Sequence, residues 1–410
     1  MRDAPMFRTL TVFGTRPEAI KMAPVIAELS KWSGRVESRV CVTAQHREML
    51  DQVLSVFGIV PDRDLDLMTE NQSPSDVTAS VLTALDPVLA EYAPDIVLVH
   101  GDTTTTMTAA LAAFYRKIPV GHVEAGLRTH DRYSPFPEEM NRVVTDALST
   151  LHFAPTASAR ENLLREGALP GTITVTGNTV IDALLEVARR SGPPETPLPD
   201  GKRLVLVTAH RRESFGQPLE DVCRALRDVA DTFADVAIVY PVHMNPNVQR
   251  AARSTLEGHD RIILTDPLPY SEFVGLLKAS HIVVTDSGGL QEEAPSLGKP
   301  VLVLRHETER PEAVEAGTVR VIGTDYDAVL DECSRLLSDE SAYREMAEAV
   351  NPYGDGRASG RVVAAMLAHL GGAEYERPRE FEPDLAGSAT HGRASGGPAG
   401  KKEGTAPGGA

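Results

Sequence analysis

The chain has 410 residues, of which 42% are hydrophobic and 24% charged, and its formal net charge at pH 7 is −17. This length predicts two domains rather than one, and the acidity argues against a nucleic-acid-binding protein, which normally carries a basic face. The three cysteines are far apart and show no metal-binding spacing, so we expect reduced thiols, no metal site and a cytoplasmic protein. No apolar run approaches the roughly 20 residues of a membrane helix, so no membrane association is expected.

Short β-rich segments alternate with helical segments in the first part of the chain. Ser73 is followed three residues later by Asp76, which indicates a capped helix start. The strands, almost entirely apolar, predict a parallel sheet covered by helices on both faces. The predicted helices are 17–31, 74–92 and 103–115, and the predicted strands are 9–13, 39–43, 95–100, 120–123, 152–154 and 172–176.

A stretch rich in Pro and Gly, residues 191–201, is interpreted as a linker between an N-terminal domain, 1–190, and a C-terminal domain, 202–355. The second series of strands is predicted at 204–208, 236–240, 261–265, 281–285, 301–304 and 319–322. We therefore predict two doubly wound, Rossmann-like α/β domains facing a cleft, with ligands at the carboxyl ends of the strands. Residues 371–410 are dense in Gly, Ala, Pro and charge, which predicts a disordered tail.

The sequence GTRPEAIK at 14–21 follows the first strand and indicates an anion site. Gly14 suits a tight turn and Pro17 suits the first position of a helix, which places Arg16 and Lys21 where that helix begins. Free N–H groups at a helix start attract anions, and Arg adds a forked phosphate donor. An ordinary surface loop explains this motif equally well, so the interpretation depends on the loops that follow.

Three later loops each bring a carboxylate to what we expect to be the same sheet edge. Asp102 and Glu124 follow predicted strands, and Glu138 begins a helix. Asp102 alone is explained by helix capping, and Glu138 alone by the helix dipole. Three in succession predict a proton-transfer group whose mutual repulsion raises a pKa towards neutral pH. Which carboxylate is the base and which is the acid stays open.

The second half offers further anion-binding loops. His210, with two Arg after it at a strand end, favours an anion site, whereas His243 is explained equally well as a residue that begins a helix. Ser-Gly-Gly at 287–289 exposes consecutive N–H groups to a phosphate, and Glu292 or Glu293 is placed to accept from ribose hydroxyls. No GxGxxG follows a strand and no GxxxxGK[ST] occurs, so neither a nicotinamide site nor a P-loop is expected. A diphosphate that spans the cleft, as in a nucleotide-sugar, fits these loops.

Together these loops resemble the non-hydrolysing UDP-N-acetylglucosamine 2-epimerases of bacterial type over residues 7–370. The resemblance implies a GT-B-like fold and an isomerase that converts UDP-GlcNAc to UDP-ManNAc at C2, through UDP and 2-acetamidoglucal. It also implies a cytoplasmic homodimer without a cofactor, a role in cell-surface polysaccharide biosynthesis, and a last helix at about 356–370 that packs back on the first domain. The matching strings are GTRPEAIKMAP (14–24), TAQHREMLDQ (43–52), VHGDTTTT (99–106), GHVEAGLRT (121–129), TDSGGLQEEAPSLGKPV (285–301) and TERPEAVEAGT (308–318).

The resemblance further implies roles for individual residues. Catalytic roles at the reacting sugar and the diphosphate fall on Lys21, His210, Asp102, Glu124 and Glu138. The UDP-sugar would be held by Arg16, Lys21, Phe273, Ser287, Gly288, Gly289, Glu293 and Arg310. A second UDP-GlcNAc that activates bacterial members is matched by Gln45, Arg211 and His243.

Three rival functions share parts of this pattern. A GT-B glycosyltransferase would use the UDP loops but has less reason to gather three acids in one half. A hydrolysing epimerase would use the same residues and admit water to the glycal. A non-catalytic sensor would need the anion loops but neither Lys21 nor the acids.

Overall fold

The structure is a computed structural model that describes residues 6–43, 47–67, 69 and 72–384, without the side chains of 47–49. The first half holds a parallel sheet, whose strands are β1 (Phe7–Phe13), β2 (Val36–Val42), β3 (Arg63–Asp64), β4 (Ile96–His100), β5 (Val120–Val123), β6 (Leu151–Ala154) and β7 (Ile173–Val175). Their order across the sheet is β3-β2-β1-β4-β5-β6-β7. The reversal of order beside β1 opens a crevice between β1 and β4, the place where doubly wound sheets bind ligands.

Helices cover both faces of this sheet. They are α1 (Arg16–Ser30), α2 (Arg47–Phe57), α3 (Pro74–Tyr92), α4 (Thr104–Tyr115), α5 (Glu138–Leu148), α6 (Ala157–Arg165) and α7 (Thr179–Arg190). The Ser73 hydroxyl accepts from the Asp76 N–H at 3.2 Å, which confirms the predicted cap of α3. The sequence pattern missed β3, because its two residues are exposed and carry no apolar signal.

The second half repeats the architecture. Its strands are β8 (Arg203–Thr208), β9 (Val236–Pro241), β10 (Ile262–Thr265), β11 (Ser280–Thr285), β12 (Val301–Val303) and β13 (Val319–Val321), paired in the order β10-β9-β8-β11-β12-β13. Its helices are α8 (Gln217–Thr232), α9 (Pro246–Leu256), α10 (Tyr270–Ala279), α11 (Gly288–Glu293), α12 (Pro311–Glu315), α13 (Tyr326–Ser338), α14 (Glu340–Ala347) and α15 (Ala358–Gly371). Two Rossmann-like domains of GT-B-like type are thus present, as the sequence predicts.

The chain returns to the first domain at its C-terminal end. Helix α15 packs against α1 and α7, and the Asp182 carboxylate of α7 accepts the N–H groups of Ala358 and Ser359 at its start. These bonds replace a cap from within α15 itself, so the first turn of α15 depends on α7.

The segment 375–384 continues along the edge of the first sheet. The Phe381 N–H donates to the Val175 carbonyl of β7 at 2.8 Å, and the Phe381 ring is buried. Glu380 pairs with Arg160 of α6 at 2.6 Å. The prediction of a disordered tail from residue 371 is therefore wrong for residues 371–384. One buried aromatic ring and one ion pair hold this segment on the first domain in spite of its Gly- and Pro-rich composition. Residues 385–410 lie outside the described residues.

The cysteine thiols are buried in the cores, where the sequence analysis expected reduced thiols. Cys41, Cys223 and Cys333 are free, and burial raises the pKa of each thiol to about 12. Among the described residues, no helix combines the length and apolar character that spanning a membrane requires.

Candidate functional site

The loop between β1 and α1 is fixed by the buried carboxylate of Glu18. The N–H groups of Gly14 and Thr15 donate to its Oε2 at 3.1 and 2.7 Å. The hydroxyls of Thr103 and Thr106 donate to its Oε1, both at 2.8 Å. Burial raises the pKa of Glu18, although these hydrogen bonds oppose the shift. The anion loop is thus joined to the β4–α4 loop before any ligand arrives.

Lys21 and Glu124 form an ion pair where the two halves of the chain meet. The Lys21 ammonium donates to Glu124 Oε1, and the two side chains are only 19% and 10% exposed. Glu124 has a φ of 66°, in the left-handed region that costs energy for a residue with a side chain. This backbone conformation, at the end of β5, brings the carboxylate to Lys21.

The ion pair shows that Glu124 is not a carboxyl group whose pKa is raised by the neighbouring acids. Burial would raise the pKa of Glu124, but the Lys21 charge outweighs it and holds the pKa well below its usual range. For Lys21, burial acts to lower the pKa, and the charges of Glu124 and Glu292 raise it overall. Both groups are therefore ionised at neutral pH.

His100 is a buried neighbour of Glu124 that the sequence analysis did not select. Its Nε2 lies 3.4 Å from Glu124 Oε2. Burial lowers the pKa of His100 to about 3, so a neutral ring faces the carboxylate at pH 7. Gly101 has a φ of 72°, a conformation that favours glycine, and a Cβ there would make only an ordinary contact, 3.5 Å, with the same oxygen.

The two other predicted acids, Asp102 and Glu138, line one cavity of about 280 Å³. Asp102 Oδ2 accepts from the Arg142 guanidinium at 2.5 Å, and the same guanidinium donates to Glu139 Oε2 at 3.1 Å. Asn141 donates to the Asp102 carbonyl at 2.9 Å. Helix α5 therefore supplies both an acid and the cation that orients Asp102.

In the second half, Asp286 holds the loop that carries His210. The N–H groups of His210 and Arg211 donate to Asp286 Oδ2 at 2.6 and 2.7 Å. The His210 ring stacks on the His243 ring, with 5.4 Å between centroids. Burial would raise the pKa of Asp286, but its bonds to His210 and Arg211 lower it. Asp286 follows β11 directly. Asp102 was predicted as a site residue because it is an acid in the loop after a strand, and the same rule could have predicted Asp286.

The Ser-Gly-Gly turn lies at the start of α11 beneath two guanidinium groups. A Cβ added to Gly288 would lie 3.9 Å from Arg310 Nη2 and 4.0 Å from Arg211 Nη2. The second turn residue, Gly289, is exposed next to Ser287 and Glu293, with a built Cβ 3.9 and 3.7 Å from their side-chain oxygens. The Glu309 carboxylate lies equally near Gly288, with Oε2 4.0 Å from its built Cβ, and the Ser287 N–H already donates to Thr285 Oγ1 at 2.9 Å. The turn therefore places the N–H groups of its two glycines near two cations and one carboxylate.

Residues from both halves meet around Glu293. Burial raises the pKa of Glu293 to about 8; the charge of Glu292 adds to this rise, and those of Lys21 and Arg16 oppose it. Phe273 is partly buried in α10 and packs against the core. Gln45, the remaining predicted residue, lies outside the described residues.

A chain of buried polar contacts joins the two halves. The sequence analysis did not select one of its members, Asn178, and left the choice between Glu292 and Glu293 open. The Arg310 guanidinium donates to Glu292 Oε1. The Asn178 amide donates to Glu292 Oε2 at 2.7 Å and to Glu124 Oε1 at 2.8 Å. Asn178 lies three residues after the end of β7, in the loop that follows Thr176 and Gly177, so the rule that polar residues after strands form the site also applied to it. This arrangement can hold an anion from both sides next to ionised and protonated carboxyl groups.

Comparison with known proteins identifies relatives over most of the chain. A family model described as UDP-N-acetylglucosamine 2-epimerase matches residues 28–367. A UDP-N-acetylglucosamine 2-epimerase of Escherichia coli (strain K12) is 55% identical over 369 residues, covering 88% of this chain and 98% of that protein. The crystal structure of UDP-GlcNAc 2-epimerase from Neisseria meningitidis bound to UDP-GlcNAc is 48% identical, with a TM-score of 0.79, covering 88% of this chain and all of that one. The S. aureus MnaA–UDP structure is 46% identical, also with a TM-score of 0.79, and covers 92% of this chain and all of that one.

Proposed function

The chain belongs to the UDP-N-acetylglucosamine 2-epimerase family, and from this we propose that it interconverts UDP-GlcNAc and UDP-ManNAc by inverting C2 of the sugar. The observation that carries the proposal is the buried Lys21–Glu124 pair at the meeting point of the two halves. Both ionised groups interact electrostatically with the Arg310 guanidinium, which itself lies near the Ser-Gly-Gly turn of the second half.

The inversion proceeds by elimination and re-addition. The proton at C2 lies next to no carbonyl of the ring, so simple proton exchange is slow. A base removes this proton, the C–H electrons form a C1–C2 double bond, and the C1–O bond breaks with its electrons on UDP. The 2-acetamidoglucal then takes a proton on its other face while UDP bonds again to C1. This route requires strong stabilisation of the departing UDP and a positioned acid and base.

The cationic and N–H groups of the cleft stabilise UDP as it departs. Arg310 and the 287–289 turn hold the nucleotide from the second half, with Glu293 at the ribose and Phe273 near uracil. His210 and Arg16 contact the diphosphate. Because Arg310 is already held by Glu292 and the His210 loop by Asp286, these two donors favour the separated charge at little reorganisation cost.

The proton transfers belong to Asp102, Glu124 and Glu138. Asp102 and Glu138 face one cavity, where a sugar C2 would lie between a carboxylate oriented by Arg142 and a second acid. Glu124 is ionised beside Lys21, so its share in the proton transfers is that of a base, and it also holds that ammonium beside the reacting sugar. Closure of the cleft keeps water from the glycal.

The wider organisation of the molecule is also proposed from the family and from the sequence. The division into residues 1–190, the linker 191–201 and 202–355 follows the two sheets. The enzyme acts as a homodimer without a further cofactor, and a second UDP-GlcNAc binds near Arg211 and His243 as an activator. Their position around His210 supports contact between the second site and the first.

Incubation with UDP-GlcNAc in deuterated water tests the reaction. We expect UDP-ManNAc that carries deuterium at C2. Asp102→Asn should keep UDP binding and lose turnover by about 100-fold, as expected for removal of an acid–base group. Asp221→Asn, on the surface of α8, is the matched control and should react like the unchanged protein.

Each rival function gives a different product. Interconversion without label at C2 would contradict the elimination route, and near-normal turnover of Asp102→Asn would remove Asp102 from the proton-transfer group. Release of free sugar with UDP would indicate a hydrolysing epimerase, and activity only with an added acceptor would indicate a glycosyltransferase. UDP-GlcNAc binding without any product would indicate a sensor.

A further inference from the structure

Asn178 is the only described side chain whose amide donates to a buried carboxylate in each half of the cleft. It is the N-cap residue of α7, in the first half, and is 2% exposed. Glu124 follows β5 of the same sheet, whereas Glu292 belongs to α11 of the second half. A single amide group therefore connects the two halves where the proposed reaction takes place.

The hydrogen bonds use both amide hydrogens of this side chain and one of the two lone pairs of Oδ1. Nδ2 donates both of its hydrogens, to Glu124 at 2.8 Å and to Glu292 at 2.7 Å. Oδ1 accepts from the Val180 N–H at 3.0 Å and caps α7. The carboxylates only accept and the N–H only donates, so the orientation of the amide is fixed. The Asn178 N–H itself donates to the Tyr353 carbonyl at 2.7 Å, which ties its backbone to the returning chain.

The other oxygen of Glu292, and Oε1 of Glu124 itself, are held by cations. Arg310 donates to Glu292 Oε1, and Lys21 donates to Glu124 Oε1. The carboxylates would repel each other if nothing lay between them, and the amide supplies one donor to each without adding a charge. Asn is suited to this position because Ser offers one hydroxyl hydrogen and ionised Asp offers none.

We propose that Asn178 is a positioning residue that sets Glu124 with Lys21 and Glu292 with Arg310 in one geometry across the cleft. It acts through these pairs and needs no contact with the substrate. The expected change in kcat rests on the proposed function. The expected change in UDP affinity rests only on the contact of Arg310 with UDP. Loss of the bridge misplaces the ammonium at the sugar and the guanidinium at UDP together.

Two substitutions separate this bridge from the helix cap. Asp and Ser cap a helix about as well as Asn, so Asn178→Asp and Asn178→Ser both keep the bond to Val180. Asn178→Ser stays neutral and loses the double bridge at every pH. Asn178→Asp adds a third carboxyl group between two carboxylates, and this group can donate one hydrogen bond only while it is protonated.

The pH dependence of kcat is the main measurement. We expect the kcat of Asn178→Ser to be about tenfold below that of the unchanged protein at every pH between 6 and 9, the scale typical of a lost orienting partner. Asn178→Asp should be the more active of the two at pH 6 and the less active at pH 9, where its loss reaches about 100-fold. Asp325→Asn exchanges the same two residue types at the cap of α13, where Oδ1 accepts from Asp327 and Ala328, and should keep the pH profile of the unchanged protein.

Calorimetric titration with UDP gives a readout that does not depend on epimerisation. The same reversal of order between Asn178→Asp and Asn178→Ser is expected in UDP affinity, with thermal unfolding confirming that both variants fold. If both variants match the unchanged protein in kcat and in UDP affinity at every pH, Asn178 is a helix cap only and the proposal fails. If the order of the two variants in UDP affinity reverses with pH while the unchanged protein forms no UDP-ManNAc, the role of Asn178 is supported and the proposed function is wrong.

Discussion

Glu293 shows how one residue takes its protonation state from the fold. Burial beside Glu292 raises its pKa to about 8, against the opposing charges of Lys21 and Arg16. At pH 7 the side chain therefore carries a proton and can donate a hydrogen bond as well as accept one. A ribose hydroxyl can be bound by both functions, whereas an ionised Glu293 would bring a further negative charge towards a diphosphate.

The raised pKa predicts a pH-dependent stability difference for Glu293→Gln. In the folded state the carboxyl group keeps its proton up to about pH 8, whereas in the unfolded chain it releases the proton near its ordinary value of about 4.5. The stability linked to this proton is thus fully present below pH 4.5 and is lost as the pH rises to about 8. Gln resembles the protonated form at every pH, so the variant should match the unchanged protein near pH 5 and have the higher free energy of unfolding near pH 8.

Urea denaturation at the two pH values measures this difference. Glu345→Gln, an exposed position on α14, serves as the control for the loss of one surface charge. An equal difference between Glu293→Gln and the unchanged protein at both pH values would show that Glu293 is ionised throughout.

At the scale of elements, Glu18 couples the beginning of α1 to the beginning of α4. One carboxylate accepts from two backbone N–H groups of its own loop and from two threonine hydroxyls of the next. The β1–α1 loop, which leads into Arg16 and Lys21 of α1, and the β4–α4 loop, which carries Asp102, therefore share one support. A change in Glu18 should alter both loops although its hydrogen bonds go to Gly14, Thr15, Thr103 and Thr106.

Glu18→Ala should lower the free energy of unfolding by about 3 kcal/mol, because buried donors lose their acceptor. UDP affinity should fall with it, since the loop of Arg16 is no longer fixed. Glu18→Gln keeps an acceptor for the N–H groups and a donor for the threonine oxygens, so its loss should be clearly smaller. Chemical denaturation and UDP titration of the two variants check this, and equal losses would show that the hydrogen bonds of Glu18 do not support the loops.

The elements themselves could be predicted from local sequence because each has a local cause. Apolar runs fixed the position of β1, β4 and β5 within two residues, and a Ser–Asp pair at the correct spacing located the start of α3. Strand ends then located Asp102 and Glu124. The short exposed strand β3 and the packed segment 375–384 lack such a signal, since a single buried ring, Phe381, decides the latter.

The partners within the site could not be predicted in the same way. Lys21 lies 103 positions from Glu124, and Asn178 lies 114 positions from Glu292. No periodicity connects such pairs, and the pKa of Glu124 depends on its partner more than on the acids nearby. The family motifs contain these residues, but only the folded chain shows which of them meet.

At the scale of the whole molecule, one hydrophobic core is shared by the two sheets, beside further buried clusters that belong to a single half. A continuous cluster of buried residues includes Phe13 and Leu98 of the first sheet and Leu206 and Val301 of the second. Helix α7 packs against α1 on one side and against α10 on the other. Contacts of this extent across two domains predict that neither half unfolds by itself.

Unfolding of the chain should therefore follow one cooperative transition despite its two sheets. Trp32, the single tryptophan of the sequence, lies after α1 with its ring against Tyr375, 6.1 Å between centroids, and its fluorescence reports the first half. Far-UV circular dichroism reports the helices of both halves. We expect the two signals to give the same midpoint in urea.

Tyr270→Ala removes a ring that packs across the halves against Phe57, 6.3 Å between centroids, and should lower the midpoint and move the two signals apart. Val60→Ala, at a side chain 84% exposed, should leave both signals together at the original midpoint. Separate midpoints in the unchanged protein would mean that the shared core does not couple the halves, and that the cleft between them can open by unfolding one side.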